Sequence, residues 1–564
     1  MLYIFREIKL LLLFSYHVVL RRFKIFPPAD FPINIKSRKN ENQKILEFKG
    51  GKDKYFVNPY EKHINFFNIL DTYMTKDINL MLSYEVFKLN FISNKVEQII
   101  ESDCLLPIAT SNKPNSCILK LNNKEFNIKL KPNRNYYINL KKNDNLIIKS
   151  KLPIIIGKFI KNNNFDSKKI KLNLVIFIDG LINKVTENED TFEKIMPNTK
   201  KFFSNGINFK NHQSNGEWSY PSAANFFSGL YLENHKMYHP LKHQVLDDDI
   251  KTLAEIFSEN GFTTLKFNGN WRMTPTYGLD RGFDRNIYKR GMSSNDVISH
   301  FKHSDDTFRN TNKFAWLTFF DLHGEDVVTK NKLTTEDLLF KENVFDAYNP
   351  NVVKDTSKIK SVFLAKDEDE IEFYYKKCNF LDHQLKILYD YIEKNYSEDQ
   401  VLINLISDHG VSFLDEQKKI LADKRIRIPW IVKTGKIKNQ EKYSNEITEN
   451  VDIMKSILEI NNIDSDNLKL DGNLPKILGG KIKEHSISQS LFPNQSYKCR
   501  IDFQKITLFY ETNNKVDDNG KLNVFDKSFE YKTKDDLTTA EIDVYKKKGE
   551  AIVQNLFNKI FKSI

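Results

Sequence analysis

Ser219 stands two residues before Pro221 in Gly216-Glu217-Trp218-Ser219-Tyr220-Pro221-Ser222-Ala223-Ala224. Proline suits the first turn of a helix, where its missing N–H has no partner to lose. Ser219 therefore falls at the N-terminus of a predicted helix, where free N–H groups and the helix dipole favour negative charge. A serine so placed can attack an anionic ester whose oxygens lie against the same helix end. The competing role is an ordinary helix cap, for which serine is a preferred residue. Two other stretches bear on the choice. The apolar run Leu172 to Ile178 ends in Asp179-Gly180, and Val401 to Ile406 ends in Ser407-Asp408-His409-Gly410. Asp179, Asp408 and His409 supply two oxygens and one nitrogen for a divalent cation. Ser219 completes the set as an alkoxide, because a metal lowers the pKa of an oxygen it holds and yields a nucleophile near neutral pH.

The elements that must position these groups can be read from hydrophobic periodicity. At 564 residues the chain has room for two or three domains. From about Ile45 to Ile160 the period is two: Phe126, Ile128 and Leu130 alternate with polar residues, as do Tyr136, Ile138 and Leu140. Polar turns separate the runs, so a small antiparallel β-sandwich is expected over residues 41–165, behind an N-terminal segment 1–40. It serves either as a structural platform or as a glycan-binding module; no aromatic cluster marks a sugar site. Lys161 to Lys169 reads as a linker. Beyond it, continuous apolar runs at Leu172 to Ile178, Thr263 to Phe267, Phe314 to Phe320 and Val401 to Ile406 read as buried parallel strands. Helical stretches such as Ile250 to Asn260 and Tyr374 to Tyr391 lie between them. A layered α/β domain with a mostly parallel central sheet is expected over residues 170–482. Carboxylates at the C-terminal ends of such strands face the usual ligand crevice. Residues 483–564 alternate again at Ile506, Leu508 and Tyr510 and close on a helix from about Thr539 to Phe561.

Composition narrows the class. The formal net charge is +12, mostly from lysine spread along the chain. There is no arginine block and no nucleic-acid motif, so the excess reads as a solvated surface that also suits anionic substrates. Cys104, Cys117, Cys378 and Cys499 are far apart, which argues against a disulfide framework or a thiolate zinc site. The apolar run Leu10 to Leu20, flanked by Arg6, Lys9, Arg21 and Arg22, is too short to span a bilayer and is followed by no small-residue cleavage site. It reads as a basic amphipathic helix that packs on the body or lies on a membrane surface. A cytoplasmic chain is expected, with peripheral contact to the inner membrane as its outer limit.

The order of these motifs resembles the sulfatase branch of the alkaline phosphatase superfamily. The landmarks are Asp179, then Ser219-Tyr220-Pro221-Ser222-Ala223 as a Cys/Ser-x-Pro-Ser-Arg nucleophile motif, then Ser228-Gly229-Leu230-Tyr231 with His235. Gly269-Asn270-Trp271-Arg272 stands for Gly-Lys-x-His, and Gly282-Phe283-Asp284, His323, Leu381-Asp382, Ser407-Asp408-His409-Gly410, Arg427-Ile428-Pro429, Asp452-Ile453 and Asp471-Gly472 follow in order. The resemblance implies an alkaline-phosphatase/sulfatase-like fold holding one divalent ion on Asp179, Ser219, Asp408 and His409. Calcium, magnesium and manganese are the expected ions, with zinc the fourth candidate. It implies Ser219 as nucleophile and His323 as the acid that protonates the leaving oxygen. Arg272, Asn270, His235 and a lysine among Lys418, Lys419 and Lys424, with Lys419 carried forward, would bind the substrate.

The departures matter chemically. The family's sulfatases convert the motif Cys or Ser to formylglycine, and the modifying enzyme reads the motif arginine; here Ala223 stands there. Gly180 replaces the second aspartate of the usual pair, and Asn270 and Arg272 replace a lysine and a histidine. An unmodified serine favours phosphoryl chemistry through a covalent phospho-enzyme, since a sulfo-enzyme made by direct attack is hard to release. The expected activity is hydrolysis of a sulfate or phosphate ester on a glycan or glycolipid. One alternative is a phosphotransferase of the phosphoethanolamine or glycerol-phosphate type. The other is an inactive relative that binds an anionic glycan.

Overall fold

The computed structural model describes residues 45–562, apart from 48–52, 60–83, 111–112, 133, 163, 240–244, 274–276, 290–291, 323–367, 415–419, 438–440, 493–494, 518–521 and 523–525. The expected N-terminal amphipathic helix lies outside the described residues. The chain forms two compact units.

The first unit takes residues up to Asn163 together with Thr274–Thr276 and Asp284–Arg290. Its described strands include β1 (Lys54–Pro59), β2 (Tyr84–Ile99), β3 (Cys104–Thr110), β4 (Asn115–Leu121), β5 (Lys124–Leu130), β6 (Asn135–Leu140) and β7 (Asn145–Gly157). All pair antiparallel. The long strand β7 runs beside β2 throughout. On its other side its first half carries β4 and then β5, and its second half carries β3 and then β6. Two sheets thus share one long antiparallel strand pair, with register shifts in β2 where they diverge. Alternate residues Leu106, Ile108, Leu119, Leu130, Leu140, Ile148 and Ile156 fill the space between, and Cys104 and Cys117 pack among them. The strand Arg285–Tyr288 pairs antiparallel with β2. It is tied by Arg285 Nε to Glu85 at 2.8 Å and by Lys88 Nζ to Asp284 at 2.7 Å. The linear order of domains expected from sequence did not anticipate this excursion of the chain.

The second unit takes Asn164–Met273, Tyr277–Phe283 and Gly291–Ile564. Its central strands are β8 (Leu172–Ile178), β9 (Thr263–Asn268), β10 (Lys313–Phe319), β11 (Val401–Ile406) and β12 (Trp430–Thr434). They lie in the order β9-β10-β8-β11-β12; the first four are parallel and β12 is antiparallel. Every residue of β8 through β11 is buried, which explains the largely apolar runs, and Asn173, Lys266, Lys313 and Asn404 are buried among them. Helices α1 (Ser219–Ser228), α2 (Leu253–Glu259), α3 (Glu368–Asn395) and α4 (Asn450–Ile460) belong to this unit. Asp382 on α3 accepts hydrogen bonds from the N–H of Asn198 and Thr199 at 2.9 and 2.7 Å, anchoring the start of a neighbouring short helix. Four antiparallel strands, β13 (His485–Ser490), β14 (Ser496–Phe503), β15 (Ile506–Lys515) and β16 (Lys527–Thr533), pack with α5 (Thr539–Phe557) through Leu508, Val553, Leu556 and Phe557. This C-terminal part, expected as a subdomain over 483–564, falls within the same compact unit as the parallel sheet. Among the described residues no helix is long and apolar enough to cross a membrane.

Candidate active site

Strands β8 and β11 are neighbours at the centre of the sheet, so their C-terminal ends deliver Asp179 and Asp408 side by side. Gly180 follows with φ +77°, the left-handed region that glycine enters at little cost. The Gly180 N–H donates to Asp408 Oδ1 at 3.1 Å, and the N–H of His409 meets the same oxygen at 2.9 Å. One oxygen of Asp408 is therefore fixed by two backbone donors. The other, Oδ2, is buried without a hydrogen bond and lies 3.3 Å from His409 Nε2.

His409 is buried, and its Nδ1 is 2.8 Å from the carbonyl of Gly410. A carbonyl cannot donate, so Nδ1 carries the proton and the Nε2 lone pair points inward. Burial drives this imidazole down to about 4 against the pull of Asp408, which keeps it neutral at pH 7. Ligand atoms of Asp179, Asp408 and His409 all lie within 4.8 Å of one another. Two carboxylates and an unprotonated imidazole nitrogen converging in a buried space are the donor set of a divalent cation, and the undonated Asp408 Oδ2 fits that role. The residues present therefore fit the expected metal.

Ser219 is the first residue of α1, and Trp218 takes the cap position without a side-chain bond. The hydroxyl turns away from its own helix: Oγ is 3.1 Å from Asp179 Oδ2 and 3.4 Å from His409 Nε2. Pro221 sits in the first turn, as expected, and Ala223 is fully buried further along α1.

The other expected residues divide. Asn270 is fully buried and donates from Nδ2 to Asp179 Oδ2 at 2.5 Å, while its Oδ1 accepts the N–H of Arg272 at 2.8 Å. Each end of its amide thus makes one bond to the protein, and the one to Asp179 orients that carboxylate. Arg272 is buried, and its charge bears on both His409 and Arg425. His235 is not brought to this group. Its Nδ1 accepts the N–H of Met237 at 3.0 Å and its Nε2 meets Asn225 at 3.1 Å. Asn225 lies six residues along α1 from Ser219, roughly 9 Å at the rise of a helix. The buried imidazole of His235 ties α1 to the turn that follows it. His323, Lys418 and Lys419 lie outside the described residues. Lys424 is half-buried, next to Arg425.

Arg425 is the site's unforeseen residue. It is buried, and its charge bears on Asp408, Asp179 and Glu217. The sequence points instead to a cation among the neighbouring lysines Lys418, Lys419 and Lys424. The available signal was chemical: an arginine suits a buried contact where two directed donors are needed.

The sulfatase profile matches residues 172–463, just over half of the chain. No curated protein matches the sequence. Among solved structures, 251 chains match. A phosphonate monoester hydrolase from Silicibacter pomeroyi is 13% identical, with 68% of this chain and 95% of that chain covered and a TM-score of 0.51. A 2-O glycosaminoglycan sulfatase, BT1596, is 14% identical, with 69% and 92% covered and a TM-score of 0.50. A Bacteroides thetaiotaomicron protein from a locus for glycosaminoglycan metabolism is also 14% identical, with 70% and 95% covered and a TM-score of 0.50. At such identities the likeness establishes the fold, an α/β domain with a mostly parallel central sheet. The profile match over more than half of the sequence establishes the kinship: the chain belongs to the sulfatase family.

Proposed function

We propose that this protein is a metal-dependent hydrolase of a sulfate or phosphate ester, carried on a glycan or glycolipid, with Ser219 as its nucleophile. The observation that carries the reading is the direction of the Ser219 hydroxyl, off its helix and onto Asp179 and His409. A capping serine would turn the other way. Asp179, Asp408 and His409 would hold the cation, which when bound lowers the pKa of a hydroxyl and offsets charge on ester oxygens. Asn270 keeps Asp179 aimed, and Asp179 Oδ2 stands where it can receive the Ser219 proton. The N-terminus of α1 and the buried charges of Arg272 and Arg425 favour an anionic group above Ser219. His323 is proposed to protonate the leaving oxygen and Lys419 to add a further positive charge.

Phosphate is the preferred ester. Ala223 occupies the place of the arginine that directs formylglycine formation, so Ser219 is expected to stay a serine. Direct attack then leaves a phosphoserine, which water can release, and transfer to a sugar or alcohol hydroxyl is the corresponding second reading. A glycan substrate is supported by the glycosaminoglycan sulfatases among the structural neighbours. The test is turnover of aryl phosphate, aryl sulfate and aryl phosphonate reporters with and without Mn²⁺. Metal-dependent phosphate cleavage, lost in Ser219→Ala, supports the reading; equal turnover by Ser219→Ala removes it.

A further inference from the structure

We propose that Arg425 is a positioning residue: its guanidinium clamps the turn before Ser219 to the turn after His409 and so fixes the direction of His409 Nε2. The proposal rests on the reading of Asp179, Asp408, His409 and Ser219 as a cation and nucleophile site. Arg425 sits on the short helix Asp423–Ile426 and is buried. Nη2 donates to the carbonyl of Glu217 at 2.6 Å, two residues before the nucleophile. Nη1 donates to the carbonyl of Gly410 at 3.2 Å, one residue after the ligand histidine. That same carbonyl accepts His409 Nδ1–H at 2.8 Å. A carbonyl oxygen has two lone pairs, so the imidazole and the guanidinium share it fully. The backbone repeats the link, with Gly410 N–H donating to the carbonyl of Arg425 at 2.7 Å. There is no room for slack: a Cβ on Gly410 would stand 1.8 Å from the carbonyl of Lys424.

A second partner of this kind fixes the tautomer and ring direction of a ligand histidine. Only a planar fork with several fixed donors reaches both carbonyls at once; a lysine offers one compact cation. Burial disfavours the charged guanidinium, and Glu217, Asp408 and Asp179 act in the opposite sense. A clamp and a mere counter-charge can be told apart by sign. Loss of a nearby positive charge should tighten cation binding. Loss of the clamp should weaken it, because His409 is no longer held.

The experiment titrates Mn²⁺ into full-length wild type, Arg425→Lys and Arg425→Met by calorimetry, with amide hydrogen exchange of peptides spanning 214–220 and 407–412 measured in parallel. Arg425→Lys keeps the charge and guards against a Met variant that fails to fold. The expected result is Mn²⁺ binding weakened about tenfold or more in Arg425→Lys, the range seen when such outer partners are removed. Faster exchange in both peptides should accompany it. Wild-type affinity in Arg425→Lys, tighter binding in Arg425→Met, or unchanged exchange in either turn would each overturn the clamp. A wild type that binds no Mn²⁺ would instead sink the cation site, and exchange without metal would still decide the clamp.

Discussion

Asp408→Asn separates a cation site from a structural carboxylate pair. The amide keeps one oxygen to accept the N–H groups of Gly180 and His409, as Asp408 Oδ1 does at 3.1 and 2.9 Å. Its NH₂ replaces Oδ2, now pointing donors at the oxygens of Asp179 and the lone pair of His409. Without metal, wild type holds two carboxylates whose facing atoms are no more than 4.8 Å apart. At an effective dielectric of about 20 that repulsion is on the order of 3.5 kcal/mol. Arg272 and Arg425 offset part of it, leaving a relief of about 1–3 kcal/mol in the variant. The unit that carries the site has roughly 400 residues, for which 1 kcal/mol moves the melting temperature by about 1 °C. Metal-free Asp408→Asn should therefore melt about 1–3 °C above metal-free wild type. Mn²⁺ at a hundred times its Kd adds about 2.7 kcal/mol to wild type, close to 3 °C, and almost nothing to the variant. The gap in scanning calorimetry should thus close or reverse when Mn²⁺ replaces EDTA. A variant that melts below wild type in EDTA, or that gains as much from Mn²⁺, would refute a cation held by Asp408.

Other outcomes follow from neighbouring contacts. Asn270→Ala should cost about 1–2 kcal/mol and lower kcat more than it raises KM, because Asp179 loses the amide that aims it; unchanged kcat would remove that role. Gly180→Ala should cost about 1–2 kcal/mol and weaken Mn²⁺ binding, since a Cβ at φ +77° is strained although space exists; wild-type affinity would show the turn tolerates it. Asp502 tests the C-terminal sheet. Burial raises its pKa, but the Arg500 guanidinium overrides this and holds the carboxyl well below the usual range of 3.8. Its stabilisation is therefore present above about pH 4 and lost as pH falls below it. Asp502→Asn should cost about 3–5 kcal/mol at pH 7 and melt with less dependence on acid than wild type; parallel pH curves would contradict this.

Much of this was legible in the sequence because the site is assembled from strand ends. A fully buried parallel strand is apolar along most of its length, so Leu172 to Ile178 and Val401 to Ile406 announce themselves despite Asn173 and Asn404, and the candidate ligands Asp179, Asp408 and His409 follow within three residues of their ends. Pro221 likewise marks the start of α1 and the place of Ser219. What could not be read was the use of each polar side chain. Asn270 and His235 stand at motif positions that suggest substrate contact, yet one is committed to Asp179 and the other to Asn225 and Met237. Arg425 was hidden because its donors reach backbone carbonyls, Glu217 and Gly410, which carry no sequence signature. The strand Arg285–Tyr288 was hidden for a related reason: pairing with β2 is a long-range event that a four-residue segment does not specify.

The most direct measurement is the mass of the tryptic peptide Asn211–Lys236, which contains Ser219. It should be taken from resting enzyme and from enzyme quenched during turnover of an aryl phosphate with Mn²⁺. Ser219 as an unmodified nucleophile predicts the mass of plain serine at rest and one phosphoryl group on Ser219 in the quenched sample, absent from Ser219→Ala. Formylglycine at rest, or steady turnover with no adduct at Ser219, would contradict it.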